Sequence, residues 1–170
     1  MAMHHDGSQS TAVIIRQARP DDASVVTHIM NDVITNTTAT FTTVTKTIDT
    51  VAAQITPPQP CLVAEIDGQV CGYARYFPFR SGPGYAHVVE YSIAVTTSAK
   101  GNGAGRALLT ALCSMARDDG RMQMIGAVSG DNDSAIKFHL SNGFDQVGRL
   151  PDAGLKWGKS LDLIFMQKRL

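Results

Sequence analysis

The stretch Ser92–Arg106, SIAVTTSAKGNGAGR, contains the features that decide the fold of this chain. Its first four residues predict a short strand, and three glycines then fall within five residues. A helical pattern opens directly afterwards, with apolar residues at Leu108, Leu109, Leu112 and Met115. A helix start presents free N–H groups and the positive end of the helix dipole, so this turn suits a phosphate or pyrophosphate group.

Two other phosphate-binding patterns do not fit the spacing of the glycines. A Walker A loop needs Gly-x4-Gly-Lys-Ser/Thr, and the nearest match, residues 154–160, is one residue short. A dinucleotide fingerprint needs Gly-x-Gly-x-x-Gly, but Arg106 stands where the third glycine is required. Because glycine also serves ordinary turns, the glycines alone leave open a plain turn into a helix.

Composition limits the class of protein. At 170 residues, the chain is long enough for one domain with a core. Its 15 basic and 15 acidic residues cancel, which indicates no surface for nucleic acid or an anionic membrane. No apolar stretch approaches a membrane span, and the N-terminus lacks the apolar core of a signal peptide. We therefore expect a cytoplasmic protein.

The three cysteines, Cys61, Cys71 and Cys113, lie within apolar runs. Their odd number and their spacing match neither a disulfide framework nor a metal site. They predict buried thiols in a reducing compartment, and we expect no metal.

The remaining sequence predicts helices and strands on both sides of the glycine turn. Residues 1–11 are polar and predict a flexible tail, and residues 12–170 predict one domain. The predicted strands are 12–18, 61–66, 69–76, 85–95, 123–129, 144–149 and 161–168. The predicted helices begin at Pro20, cover 47–55, follow the glycines, and cover 131–142. The order β-α-α-β-β-β-α-β-α-β-β indicates an α/β protein.

The glycine turn resembles motif A of the GNAT superfamily of N-acetyltransferases, Arg/Gln-x-x-Gly-x-Gly/Ala, with Lys100 at its first position. Asn132, Ser134 and the run HLSNGF (139–144) also resemble that superfamily. The tail GLKWGKSLDLIFMQKRL, together with VEYS (89–92) and ATF (39–41), is similar to the phosphinothricin and methionine-derivative acetyltransferases within it. The resemblance extends from about residue 14 to residue 170.

This resemblance implies the GNAT acyl-CoA N-acyltransferase fold, in which a central mixed, mostly antiparallel sheet is flanked by helices. It implies acetyl-CoA as co-substrate and a small amino-acid-like amine as acceptor, of the methionine sulfoximine, methionine sulfone or phosphinothricin type. It also implies a homodimer. Acetylation of a protein N-terminus or a polyamine, and a non-catalytic acyl-CoA-binding module, remain as alternatives.

The resemblance also assigns residues to acetyl-CoA. The backbone of Ile93, Ala94 and Val95 would contact the pantetheine arm and the thioester oxygen. The pyrophosphate would lie against Lys100, Gly101, Asn102, Gly103, Ala104, Gly105 and Arg106. Asn132 and Ser134 would contact the cofactor, although a simple helix cap is an alternative for both.

Glu90 is the candidate general base, acting directly or through a water molecule. It lies in the apolar strand VVEYSIAV, where a carboxyl group has a raised pKa. The alternative is a glutamate on a solvated face. His139 stands where many superfamily members place the tyrosine that protonates the leaving thiolate, and the alternative is a packed helix histidine.

The acceptor pocket is assigned to Phe41, Arg80 and Tyr85 together with Glu90. Arg80 would pair with a substrate carboxylate, unless it is an ordinary surface arginine. Lys156 and Asp162 match positions of the subfamily pattern, and the sequence leaves open whether they contact ligand or hold the C-terminal tail.

Overall fold

A computed structural model describes residues 12–170, so the predicted tail at residues 1–11 lies outside the described residues. The described part contains one seven-stranded sheet and four α-helices. The strands are β1 (Val13–Gln17), β2 (Cys61–Ile66), β3 (Gln69–Pro78), β4 (Val88–Val95), β5 (Gln123–Ser129), β6 (Asp145–Lys156) and β7 (Lys159–Arg169). The helices are α1 (Ala23–Asn36), α2 (Ile48–Ile55), α3 (Ala104–Asp118) and α4 (Asp133–Ser141).

The sheet has the strand order β1-β2-β3-β4-β5-β7-β6. Only β4 and β5 pair in parallel, and every other neighbouring pair is antiparallel. The predicted mixed, mostly antiparallel sheet and the predicted order of elements are both confirmed.

Two predicted strand boundaries are wrong by more than two residues. The strand predicted from residue 85 begins at Val88, because Pro83–Tyr85 form a 3-10 turn before it. The strand predicted to end at residue 149 continues to Lys156. Its pairing with β7 shifts register between Leu150 and Gly154, and this irregularity accommodates Pro151 within an edge strand.

Helices cover the two faces of the sheet unequally. On one face, α3 packs its buried leucines against β2, β3 and β4. On the other face, α1 and α2 pack against β2 and β3 around Cys61, Val63 and Tyr73. Because strand residues alternate, Tyr91 of β4 belongs to the first core, and Glu90 faces the side of α1 and α2.

All three cysteines are buried and free, as predicted. Burial raises the pKa of the Cys61 thiol to about 12, so this thiol stays protonated at neutral pH. Within residues 12–170, no helix is both long enough and apolar enough to cross a membrane. The same residues contain no cluster of three or more His, Cys, Asp or Glu side chains suited to a metal ion.

Candidate active site

The parallel pair β4 and β5 separates part of the way along the two strands. Their pairing begins at Val88 with Gln123 and ends at Tyr91 with Gly126. Beyond that point β4 stays paired with β3, and β5 stays paired with β7. A gap therefore opens between the carboxyl ends of two parallel strands, which is where ligands bind in open sheets of this kind.

The backbone of β4 has free hydrogen-bonding groups along this gap. The Thr96 N–H donates to the carbonyl of Cys71 at 2.8 Å, so the even-numbered residues of β4 direct their backbone groups to β3. By alternation, Ile93 and Val95 direct theirs into the gap. Ala94, the third residue predicted to contact pantetheine, has its backbone groups directed to β3.

The glycine turn follows β4 and leads into α3. Gly101 and Gly103 have φ of 82° and 83°, a left-handed backbone conformation that residues other than glycine rarely adopt. Gly103 is the residue before α3. An added Cβ there would meet no neighbouring atom, so the left-handed φ, and not a lack of space, explains why this residue is glycine.

The first N–H groups of α3, at Ala104, Gly105 and Arg106, have no acceptor within the helix. The exposed side chains of Lys100 and Arg106 flank them. Because α3 connects the parallel strands β4 and β5, these N–H groups lie at the carboxyl ends of the strands, on the side of the gap. Donors, positive charge and open space fit the pyrophosphate of acetyl-CoA.

Asn132 caps the N-terminus of α4. Its Oδ1 accepts from the Ala135 N–H at 3.1 Å and from the Ser134 hydroxyl at 3.0 Å. The helix-cap alternative thus describes the observed contacts of both predicted residues. Their contact with the cofactor stays a prediction.

Glu90 lies one residue before the point where β4 and β5 separate. It is half-buried and lies opposite Phe77 of β3. Burial raises the pKa of its carboxyl group, and no described ion pair includes it. This combination, a partly desolvated carboxylate without a counter-ion, suits a group that takes a proton from an amine near neutral pH.

His139 lies on the opposite face of the sheet from Glu90, and both of its ring nitrogens are hydrogen-bonded. Nδ1 lies 2.6 Å from the carbonyl oxygen of Ala135, which can only accept, so Nδ1 carries the proton. Nε2 lies 2.6 Å from the Tyr91 hydroxyl and therefore accepts from it. Burial lowers the pKa of His139. These contacts favour the packing alternative, and the role as general acid stays a prediction.

Replacing His139 with glutamine tests the two roles. If His139 packs, its loss lowers stability, and turnover falls much less than the roughly 10²-fold expected for losing a general acid. Because the pKa of His139 is lowered in the folded state, the unfolded chain binds a proton below about pH 6.5 that the folded chain does not. Wild-type stability therefore decreases as the pH is lowered through this range. The variant should lack that part of the slope in chemical denaturation at pH 5 to 8. A 10²-fold loss of kcat with unchanged stability would support the acid instead.

The predicted acceptor residues do not all meet. Arg80 and Tyr85 line one cavity of about 410 Å³ at the β3–β4 loop, but Glu90 is not among its lining residues, which include Tyr76, Val88, Val89 and Arg121. Phe41 lies elsewhere, against β6, where a Cβ added to Gly154 would be 2.1 Å from its ring. The loop position of Phe41 between α1 and α2 agrees with prediction.

Lys156 and Asp162 make structural contacts. The buried Lys156 donates to the backbone carbonyls of Ile34, Thr37 and Thr40 at 2.6 to 2.8 Å. Asp162 accepts from the Asp152 N–H at 2.9 Å and from the Arg149 side chain. Both residues hold the β6–β7 hairpin, so the structure favours the tail-holding interpretation.

Arg75 is a residue on the face of Glu90 that the sequence predictions omitted. It is half-buried in β3, and its guanidinium carbon lies 5.1 Å from the ring centre of Phe77. A signal was present in the sequence, because Arg75 is a charged residue between Tyr73 and Phe77 at the spacing of one strand face.

Comparison with known proteins identifies the family. Residues 28–144 match the acetyltransferase (GNAT) family. The L-amino acid N-acyltransferase MnaT of Escherichia coli is 36% identical over 92% of this chain and 93% of its own length. The L-methionine sulfoximine/L-methionine sulfone acetyltransferase of Salmonella typhimurium is 36% identical over 92% of this chain and 94% of its own length.

A solved structure has the same fold. The GNAT superfamily phosphinothricin acetyltransferase of Sinorhizobium meliloti, in complex with acetyl-CoA, superposes with a TM-score of 0.88. It is 32% identical to this chain, and the match covers 93% of this chain and 88% of that one. With the gap, the glycine turn and the free helix start in place, this chain belongs to the GNAT family and is an acetyl-CoA-dependent N-acetyltransferase.

Proposed function

We propose that this enzyme acetylates the amine of small amino acids of the methionine sulfoximine, methionine sulfone or phosphinothricin type, with Glu90 as general base. The observation that carries the proposal is the position of Glu90, which is half-buried beside the gap between β4 and β5 and takes part in none of the ion pairs described within residues 12–170. The names of the relatives support this class of acceptor, because they specify L-amino acids, methionine sulfoximine or sulfone, and phosphinothricin.

Acetyl-CoA would supply the acetyl group as a reactive thioester: the deprotonated amine would form a C–N bond to the carbonyl carbon, and the C–S bond would break to release CoA as its thiolate. In our proposal, the turn from Lys100 to Arg106 holds its pyrophosphate, and the gap-facing backbone of Ile93 and Val95 holds its pantetheine arm. A backbone N–H at the gap donates to the thioester oxygen and favours the developing negative charge there.

Glu90 performs the proton transfer. An α-amine is mostly protonated at neutral pH and cannot attack a thioester until it loses a proton. Glu90 takes this proton directly or through one water molecule. Burial raises the pKa of Glu90, which makes it a stronger base than an ordinary glutamate.

The cavity at the β3–β4 loop is proposed to receive the acceptor. It lies next to Val88, two residues before Glu90 and about 7 Å along the strand. Arg80 supplies positive charge for an anionic group of the acceptor, and Tyr85 forms part of the wall. Glu90 itself does not line the cavity, and we propose that the acceptor reaches into it with its polar end while its amine lies near Glu90.

Release of free CoA from acetyl-CoA, measured with a thiol reagent, tests the proposal. The acceptors are methionine sulfoximine, methionine sulfone, phosphinothricin, plain methionine and a polyamine. We expect turnover with the first three and little with the polyamine. Turnover with the polyamine alone would overturn the acceptor class and leave the cofactor site intact.

We further propose a cytoplasmic homodimer that uses the edge of the sheet. Strand β6 is an edge strand, and it and the following turn expose Val147, Leu150, Leu155 and Trp157. The three buried free thiols agree with a reducing compartment. Light scattering should give twice the 18.2 kDa mass of one chain, and a mass of 18.2 kDa would exclude the dimer.

A further inference from the structure

One half-buried arginine near the site, Arg75, has no hydrogen-bond or ion-pair partner among the described residues. Three described arginines are half-buried, namely Arg16, Arg75 and Arg121. Arg16 forms an ion pair with Asp22, and Arg121 donates through Nη1 to the backbone carbonyl of Ala86, although its Nε, like that of Arg75, is buried without an acceptor. Arg75 makes no side-chain hydrogen bond or ion pair with the residues described, and its Nε is a buried donor without an acceptor.

Arg75 lies next to Glu90 on the sheet. The register of β3 and β4 places Arg75 opposite Ser92, and Phe77 opposite Glu90. The side chains of directly opposed residues point to the same face of the sheet. Arg75 and Glu90 are therefore diagonal neighbours, with Cβ atoms about 7 Å apart. The guanidinium lies over the ring of Phe77, which is the residue facing Glu90.

Glu90 does not neutralise Arg75. No described ion pair joins them, and the pKa of Glu90 is raised by burial. A partly desolvated cation normally has an anionic or carbonyl partner, as Arg16 has. The contact with the Phe77 ring supplies only part of that stabilisation, because a cation–π contact leaves the buried Nε–H of Arg75 without an acceptor.

We infer that Arg75 binds an anionic oxygen group, a carboxylate or a phosphinate, of the acceptor whose amine lies at Glu90; this inference rests on the proposed function. The neighbouring positive Arg75 and negative Glu90 complement an amino acid that carries an anion and an ammonium group a few ångströms apart. The planar fork of arginine pairs with both oxygens of such a group. Arg75 is thus a specificity-determining residue in addition to Arg80.

Kinetics of Arg75→Gln and Arg75→Lys with three acceptors test this inference. Phosphinothricin carries an α-carboxylate and a side-chain anion, methionine sulfone carries only the α-carboxylate, and 3-(methylsulfonyl)propylamine carries neither. We expect Arg75→Gln to raise KM for phosphinothricin about tenfold or more with little change in kcat, because the lost contact is a charge-assisted hydrogen bond. Arg75→Lys, which keeps the charge without the fork, should lie between wild type and Arg75→Gln.

The pattern across acceptors identifies the group that is bound. If Arg75→Gln weakens binding of both amino acids equally, and does not weaken binding of 3-(methylsulfonyl)propylamine as substrate or competitive inhibitor, Arg75 binds the α-carboxylate. A loss for phosphinothricin alone assigns it to the side-chain anion. Equal losses for all three compounds, or no loss for any, would overturn the inference.

Arg117→Gln is the matched control, because Arg117 is an exposed arginine of α3. It should leave all three KM values unchanged, and the melting temperature of each variant shows whether the fold persists. Failure of the proposed function would appear differently, as absent wild-type turnover with the amino acids. If the wild-type enzyme turns over the amino acids and the Arg75 variants have the same KM values as wild type, only the present inference is overturned.

Discussion

Changing Glu90 to glutamine is expected to reduce kcat/KM by about 10²- to 10⁴-fold, the range for loss of a positioned general base. Glutamine has nearly the same shape as glutamate but cannot take the proton of the ammonium. The variant should still bind acetyl-CoA with unchanged affinity, since the cofactor is assigned to the gap-facing backbone and the glycine turn. Thiol release measures turnover, and calorimetry measures acetyl-CoA binding.

The pH dependence separates a base from a structural glutamate. Burial raises the pKa of Glu90. As the pH is lowered, wild-type kcat/KM should therefore begin to decrease at a pH above the ordinary glutamate pKa of about 4.3. The same raised pKa means that the ionised form is disfavoured in the folded state, and stability falls as pH rises through it. The glutamine variant should therefore lose the acidic limb of the activity profile and be at least as stable as wild type at pH 7.

Glu65→Gln is the control for this change, because Glu65 is the only other glutamate of the chain. It lies on β2 and is paired with Arg16, away from the gap. Its replacement should lower stability slightly and leave turnover unchanged, the opposite pattern to Glu90→Gln. Wild-type turnover by Glu90→Gln would show that Glu90 is not the base.

The strand, glycine turn and helix start to which the cofactor is assigned could be predicted from sequence because they are contiguous. A strand, a glycine turn and a helix start follow one another between Ser92 and Arg106, and each has its own local signal. The left-handed φ at Gly101 and Gly103 favours glycine, so the residue type itself indicates the conformation. The strand period also predicts correctly that Glu90 shares a face with Ser92 and Ala94.

Contacts between distant segments could not be predicted in this way. The partner of His139 is Tyr91, a residue 48 positions earlier, and nothing in either local pattern links them. The unpartnered state of Arg75 likewise depends on which side chains surround it in the folded sheet. A charged residue in a strand is visible in the sequence, but the absence of its partner is a property of the tertiary structure.

Lys156 is the clearest such case. Lysine is rarely fully buried, and the sequence leaves open whether Lys156 contacts ligand or holds the C-terminal tail. Here the side chain is 1% exposed, and its partners are backbone carbonyls more than 110 residues earlier. Because every residue has a carbonyl, such an acceptor leaves no trace in the sequence.

Changing Lys156 to methionine is expected to lower the free energy of unfolding by about 3 kcal/mol, and the melting temperature by about 10 °C. Methionine fills similar space but leaves the carbonyls of Ile34, Thr37 and Thr40 without their shared donor. The lost charge also lies at the C-terminal end of α1, where a cation is favoured. Chemical denaturation of both proteins at one pH measures the difference.

Lys159→Met provides the contrast within the same hairpin. Lys159 pairs with Asp131, but its side chain is 61% exposed, and such surface pairs contribute between about 0 and 1 kcal/mol. If Lys156 holds the loop that carries Phe41, Lys156→Met should also raise KM for the acceptor while KM for acetyl-CoA stays unchanged. Equal stability of the two variants would contradict the structural role, because the buried ammonium with three carbonyl partners would then contribute no more than an exposed ion pair.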